Sequence, residues 1–326
     1  MFDRFGRELT YLRISVVDRC NLRCLYCMPT HGAGFEASGE LLSYEEMTTL
    51  VTCFAELGIQ KVRITGGEPL VRKDLAKLIS KIQKIPGIKE IAMSTNGVFL
   101  KGQAQKLKGA GLNRLNISLD TLNRNRFIEI ARFDRLKEVL DGIDEALECG
   151  FEPLKINTVL MKGINEDEIC DLVDFAIEKS IEIRFIELMQ TNGLVQLDPL
   201  ERFLSAEKAK EQVEKKFDLI PVDAYFSSPA QVFSIQRTQA RVGFISPISN
   251  YFCARCNRLR LKANGALKTC LHGKEDLDLK SLLRSQMPLE VIKRKIQEVV
   301  WVRPEQHFLN EPQMGHNDFQ MSHVGG

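Results

Sequence analysis

The sequence predicts an α/β fold built on a parallel sheet, and three observations carry that prediction. Short β-rich runs alternate with amphipathic helical segments from residue 11 to residue 187. A helix-length segment follows each of the first five strand candidates, the pattern of right-handed βαβ crossovers. The chemically capable residues of this half fall where the strands would end, which is where ligands bind in both open and barrelled parallel sheets.

The strand candidates are residues 11–17, 61–65, 90–94, 114–118, 154–160 and 181–186, and the helices between them are 43–57, 74–85, 103–110, 134–149 and 165–179. Ser43 followed by Glu46 fits a capping box, and Gly58, Gly87, Gly111 and Gly150 stand where helices would stop. The rhythm changes after residue 187. Residues 191–199 read as a loop, 201–217 as a charged helix, 230–247 as a strand hairpin and 281–301 as a further helix, with a polar tail beyond. Two domains are expected, 1–190 and 191–326, with the boundary near residues 190–220.

A net charge of +2 gives no blanket attraction to nucleic acid or an anionic membrane, so any phosphate must be held by a local cluster of cations. Met1 to Thr10 is charged and lacks a signal-peptide core, and no later stretch reaches the roughly 18 apolar residues of a membrane span. The nine cysteines are odd in number and unevenly placed, which favours metal or redox chemistry in the cytoplasm over a disulfide framework.

Cys20, Cys24 and Cys27 stand as C-x3-C-x2-C directly after the first strand candidate. Three thiolates on one loop can hold three irons of a four-iron cube and leave the fourth open for a ligand. A zinc knuckle fits this spacing poorly, since zinc prefers a C-x2-C pair joined to a distant pair. With Tyr26 before the last cysteine, the loop resembles the radical S-adenosylmethionine (SAM) superfamily. That resemblance implies a [4Fe-4S] cluster whose open iron chelates SAM. It also carries over Tyr26, Gly67 of the Gly66-Gly67-Glu68-Pro69 turn, Ser118 and Met189 as SAM contacts, and turns Ser94 toward the substrate.

Arg13, Lys61, Arg63, Lys155 and Arg184 all lie inside strand candidates. Strands of a parallel sheet are normally buried on both faces, so these cations need a reason. Either they meet an anion, or they form structural ion pairs and reach water at the strand ends.

Cys253, Cys256 and Cys270 form C-x2-C-x13-C, with Arg258 and Arg260 close behind. The residues alone leave two readings open: a zinc site completed by His272, or a second iron–sulfur cluster. Cys53, Cys149 and Cys170 read as small packing residues, and His31, His307, His316 and His323 as surface residues.

The radical SAM loop, the second triad with its R-x-R, the run Arg-Phe-Ile-Glu-Leu-Met at 184–189 and the terminal Gly325-Gly326 together resemble the GTP 3′,8-cyclase family. The resemblance implies a partial (incomplete) TIM-type (β/α)6 barrel closed by a smaller C-terminal α+β domain. It implies a second [4Fe-4S] cluster on Cys253, Cys256 and Cys270. For GTP it implies contacts from Arg13, Arg63, Ser94, Lys155, Arg258, Leu259 and Arg260, extending to Lys61 and Arg184, and a Gly325-Gly326 tail that enters the site. Its partners would be an electron donor, a downstream cyclic pyranopterin monophosphate synthase and a second copy of the chain. The rival readings are a peptide-modifying radical SAM enzyme with an auxiliary cluster, and a non-catalytic nucleotide-binding regulator holding zinc.

Overall fold

The computed structural model describes residues 1–29, 31, 34, 38–189, 197–198, 200–222, 228–307 and 321–324. The predicted loop at 191–199 and Gly325-Gly326 lie wholly or mostly outside the described residues. Six strands follow one another in the first half: β1 (Tyr11–Ser15), β2 (Lys61–Thr65), β3 (Glu90–Thr95), β4 (Arg114–Ser118), β5 (Lys155–Leu160) and β6 (Glu182–Glu187). All pair in parallel with their sequence neighbours, as the alternation predicts.

The second half adds β7 (Leu219–Val222), β8 (Ala230–Ile235), β9 (Arg241–Ile245), β10 (Arg258–Leu261), β11 (Ala266–Lys268) and β12 (Leu277–Asp278). They extend the same sheet at both edges. β9 pairs in parallel with β6, and β10 pairs in parallel with β1. The order is β12-β11-β10-β1-β2-β3-β4-β5-β6-β9-β8-β7. Each end of the six-stranded core, which would otherwise present unpaired backbone groups, is covered by C-terminal chain.

Side chains alternate across this sheet with the period of two that strands impose. Leu12, Ile14, Val62, Ile64, Met93, Leu115, Ile117, Ile156, Ile183, Phe185 and Leu259 point one way, fully buried in the core shared with the helices. Tyr11, Arg13, Arg63, Ser94, Asn116, Asn157, Arg184, Ile245, Arg258 and Arg260 point the other way and line a single cavity. Strands β1 to β6, β9 and β10 thus all face one space, so the sheet curls into a partial barrel. Its interior is polar and cationic, unlike the packed branched residues of an ordinary (β/α)8 barrel.

The helix Tyr44–Glu56 carries the predicted box: the Glu46 amide donates to Ser43 Oγ at 3.1 Å, and the Ser43 amide donates to Glu46 Oε2 at 2.7 Å. The four predicted stop glycines all have positive φ, from 73° to 105°. Two expectations need correction. Residues 281–301 form two helices, Leu279–Arg284 and Leu289–Trp301. Pro288 cannot continue a helix that precedes it, and Gln286 turns left-handed between them, with φ 58°. A further helix, Arg124–Ala131, lies between β4 and β5. It is short and charged and buries only Phe127, Ile130 and Ala131, too little periodicity to read.

Candidate active site

The first cysteine loop leaves the end of β1 and is tied down from three sides. The Arg23 and Leu25 amides donate to the Ala131 and Ile130 carbonyls at 3.1 and 2.9 Å, and Arg132 Nη1 donates back to the Arg23 and Met28 carbonyls at 3.1 and 2.9 Å. The helix that sequence reading missed is therefore the clamp on this loop. From β4, Asp120 accepts the Tyr26 hydroxyl at 2.7 Å and the Val159 amide at 2.9 Å. Burial raises the Asp120 carboxyl to about 6.

On the third side, the Gly67 and Glu68 amides donate to the Val17 and Arg19 carbonyls at 2.7 and 2.8 Å. A Cβ on Gly67 would stand 2.3 Å from the Arg19 carbonyl oxygen, and one on Gly66 2.6 Å from that of Val17. Both glycines are thus demanded by the approach of the cysteine loop itself. Glu68, 1% exposed, accepts Thr95 Oγ1 and the Asn96 amide, each at 2.7 Å, and the Leu70 amide at 3.0 Å. Burial raises its carboxyl to about 7. Asn96 Nδ2 then reaches Cys20 Sγ at 3.7 Å, and the Leu22 amide reaches the same sulfur at 3.4 Å.

This donor set fits an iron–sulfur cluster. Burial pushes the Cys20 thiol up to about 11 and Cys24 well above its ordinary value, so thiolates here need a metal to hold them. Two N–H groups already face one sulfur.

The second triad is built by arginines. Arg303 Nη2 donates to Cys256 Sγ and its Nη1 to the Cys256 carbonyl, both at 3.0 Å. Arg7, paired with Asp3 at 2.6 Å, donates to the Cys253 carbonyl at 3.1 Å and to the Pro304 carbonyl at 2.7 Å. Burial alone would raise the Cys256 thiol, but Arg303 and Arg258 outweigh it and hold it below its ordinary value. Cys253, Cys256, Cys270 and His272 all line the barrel cavity. His272 is pushed down to about 3 by burial and then by His307, whose ring packs 5.2 Å away, so neither behaves as a surface histidine. Cysteines on separate corners of an iron–sulfur cube need no single point of convergence, whereas a Cys3His zinc site does.

Between the triads lies the cation row. Arg260, Arg13 and Arg63 are direct neighbours in register on β10, β1 and β2. Guanidiniums carried side by side on adjacent strands repel one another. Burial and then Arg260 hold the Arg13 guanidinium well below its usual value. Tyr11 shares the strain: burial works to raise its hydroxyl, yet Arg63 and Arg13 bring it down to about 8. Arg63 donates to Ser94 Oγ at 3.1 Å and to the Tyr11 hydroxyl. Among the described residues, seven arginines line this cavity of about 250 Å³ with one carboxylate, Glu305, and of the seven Arg7 and Arg184 already meet Asp3 and Glu182, a cationic lining suited to an anion.

A second cavity, about 380 Å³, continues toward the start of the strands and shares Tyr11, Arg63, Arg184 and Arg258 with the first. Lys61 and Lys155 line this lower space, not the upper one. There the ion-pair alternative holds in part: Lys155 and Arg184 both meet buried Glu182 at 2.5 Å, and Lys61 meets Glu90 at 3.3 Å. Glu182 stays ionised, while burial and Arg184 push Lys155 down to about 7. The Leu259 side chain is buried in the apolar core. Met189 lines the upper cavity; Tyr26, Gly67, Ser118 and the first triad do not. At the tail, the Val324 carbonyl accepts from Arg260 at 3.5 Å, while Gly325 and Gly326 lie outside the described residues.

Arg7, Arg303, Asp120 and Glu187 escaped the sequence reading. Glu187, 1% exposed at the end of β6, accepts the amides of Ala206, Ile248 and Ser249 at 2.9–3.0 Å and so binds the C-terminal segments to the barrel rim. Only its place in the run at 184–189 hinted at it.

Comparison with known proteins agrees with this architecture. Residues 14–176 match the radical SAM superfamily and residues 181–309 match the family described as Molybdenum Cofactor Synthesis C. A GTP 3′,8-cyclase of Alkaliphilus metalliredigens is 43% identical over 100% of both chains. One from Thermodesulfovibrio yellowstonii is 44% identical over 94% of this chain and 95% of its own. Among solved structures, Streptococcus suis SuiB bound to S-adenosylmethionine superposes with a TM-score of 0.63 over 88% of this chain and 68% of that one, at 16% identity, a likeness of fold alone. With full-length relatives at this identity, the chain belongs to the GTP 3′,8-cyclase family of the radical SAM superfamily.

Proposed function

We propose that this chain catalyses the cyclisation of GTP to 3′,8-cyclo-7,8-dihydro-GTP, the opening step of molybdenum cofactor biosynthesis. The observation that carries the reading is the in-register row Arg260–Arg13–Arg63 in a barrel that runs up to a cysteine triad. A nucleoside triphosphate suits this row, since arginine matches phosphate oxygens in a two-pronged fork. The two joined cavities fall within the roughly 300–1,000 Å³ of ordinary ligand sites.

Cys20, Cys24 and Cys27 would hold the first [4Fe-4S] cluster and Cys253, Cys256 and Cys270 the second. When bound, the first cluster and SAM supply a 5′-deoxyadenosyl radical able to take the ribose H3′ of GTP. The chain does the rest by placement. Arg13, Arg63, Arg258 and Arg260 grip the phosphates, with Lys61, Lys155 and Arg184 below them. Ser94, fixed by Arg63, meets the substrate from β3. Tyr26, Gly67, Ser118 and Met189 border the SAM position, and Gly325-Gly326 completes the site. Holding both ends of GTP keeps ribose C3′ against guanine C8, an advantage worth several kcal/mol in proximity alone. The curled sheet and its helices keep water from the reactive centre.

The working unit is a homodimer in the cytoplasm, with residues 1–190 as the barrel domain and 191–326 as its C-terminal cover. It takes electrons from a separate electron donor and passes its product to a cyclic pyranopterin monophosphate synthase. No helix among the described residues is long and apolar enough to cross a membrane. Anaerobic incubation of the reconstituted protein with SAM, dithionite and GTP tests the proposal. It predicts 5′-deoxyadenosine that rises with GTP and a new product isomeric with GTP. Deoxyadenosine indifferent to GTP would remove GTP as substrate.

A further inference from the structure

Two amides in the barrel wall remain unexplained by the arginine row. Asn116 on β4 is 6% exposed, and its side-chain oxygen has no hydrogen-bond partner among the described residues. The side-chain oxygen of Asn157 on β5 is likewise buried without a partner. Both line the upper cavity. An unpaired buried polar atom costs about 1–3 kcal/mol, so a wall that keeps two of them faces something that completes them.

Their placement narrows what that is. Ser94 and Asn116 are in register on β3 and β4, and Asn157 is in register with Ser118 on one side and Arg184 on the other. Asn116 and Asn157 are therefore diagonal neighbours on adjacent strands, close enough for their side chains to converge. They interrupt the cations between Arg63 and Arg184. A neutral amide adds little to phosphate binding where arginines abound, but each offers both an acceptor and donors, the complement of a neutral hydroxyl. Swapping the oxygen and nitrogen of either amide leaves the argument intact, because a hydroxyl can donate or accept.

We propose that Asn116 and Asn157 form a clamp for the vicinal diol of a ribose inside the barrel. The proposal deepens the reading of a nucleotide site and rests on it. Two riboses could enter, that of GTP and that of SAM, and both present the same diol. By fixing the sugar, the pair acts on which ribose hydrogen is presented, a role distinct from gripping phosphate.

The test is anaerobic equilibrium dialysis of the reconstituted full chain, wild type, Asn116→Leu and Asn157→Leu, against GTP, 2′-deoxy-GTP, 3′-deoxy-GTP and SAM. Circular dichroism melts show whether each variant is folded, and the second variant serves if the first is not. For a GTP diol, wild type prefers GTP over a deoxy analogue by roughly tenfold, and the variants lose that preference while binding the analogue as before. A roughly tenfold loss confined to SAM assigns the clamp to SAM's ribose. Folded variants that bind GTP and SAM like wild type, with the preference for GTP intact, overturn the clamp. A wild-type chain that binds no GTP defeats the proposed substrate instead, and the SAM measurements alone then decide the role of the amides.

Discussion

The two cysteine triads differ in what governs their thiols: burial at the first, arginines on Cys256 at the second. Around the first stand the buried carboxyls of Glu68 and Asp120 and the loop-binding Arg23 and Arg132, and burial pushes its thiols Cys20 and Cys24 up. Around the second stand Arg303, Arg258 and Arg260, and Cys256 is held down although burial pushes Cys253 up. Burial disfavours extra negative charge and so favours giving an electron away, and cations beside a sulfur favour holding an anion or a polar base nearby. One fold thus carries two sites of the same ligand count that suit different work: electron donation to a sulfonium at one end, and gripping of a polyanionic substrate at the other.

The sharpest way to break that comparison is to delete one ligand from each site. Cys24→Ala should abolish 5′-deoxyadenosine formation altogether. Cys256→Ala should keep some SAM cleavage yet give no cyclised product, with one cluster's worth of iron lost in each case. If both variants lose SAM cleavage equally, the division of labour is wrong.

Arg13→Ala comes next in size. It should weaken GTP roughly tenfold to a hundredfold, as loss of a charged hydrogen-bonding partner does, while SAM binds as before. Equilibrium dialysis with each ligand separates the two. Because the arginine row is self-repelling, the same change should leave the free protein no less stable, and a thermal melt checks this.

The supports of the two triads can be compared directly. Tyr26→Phe strips the hydroxyl from buried Asp120, and Arg303→Met strips two donors from Cys256. Each should cost about 1–3 kcal/mol of stability in urea titration. Iron loss should follow locally: from the first cluster for Tyr26→Phe, from the second for Arg303→Met.

The smallest effect is one of pH. Lys155 falls from 10.5 to about 7 in the folded chain, which therefore carries fewer protons than the unfolded chain between those values. Folding stability attributable to Lys155 then rises with pH across that window. Phosphate binding runs the other way, because it needs the ammonium form. GTP affinity should drop a few-fold as pH rises through 7, and Lys155→Arg should flatten the profile.

Much of this was legible in the sequence because it is local. The strand runs carried their period of two, the capping box stood at Ser43 and Glu46, and both triads announced themselves by spacing. The cations inside strands were noticed as anomalous, and their explanation divided. Arg13, Arg63 and Arg260 form an in-register row on three adjacent strands, whereas Lys155 and Arg184 meet Glu182, a partner that only the β5–β6 register reveals. What escaped was contact across long stretches of chain. Arg7 reaches Cys253, and Asp120 reaches Tyr26, with no trace in local pattern. The joining of β9 to β6 and of β10 to β1 was equally invisible, since a short strand does not name its partner.

The central claim is that this barrel holds GTP with its ribose C3′ hydrogen exposed to a SAM-derived radical. The direct measurement is anaerobic turnover with GTP deuterated at C3′, followed by mass spectrometry of the nucleosides. The account predicts one deuterium in 5′-deoxyadenosine and none at C3′ of a cyclised product. Unlabelled deoxyadenosine alongside unchanged, fully deuterated GTP would contradict it.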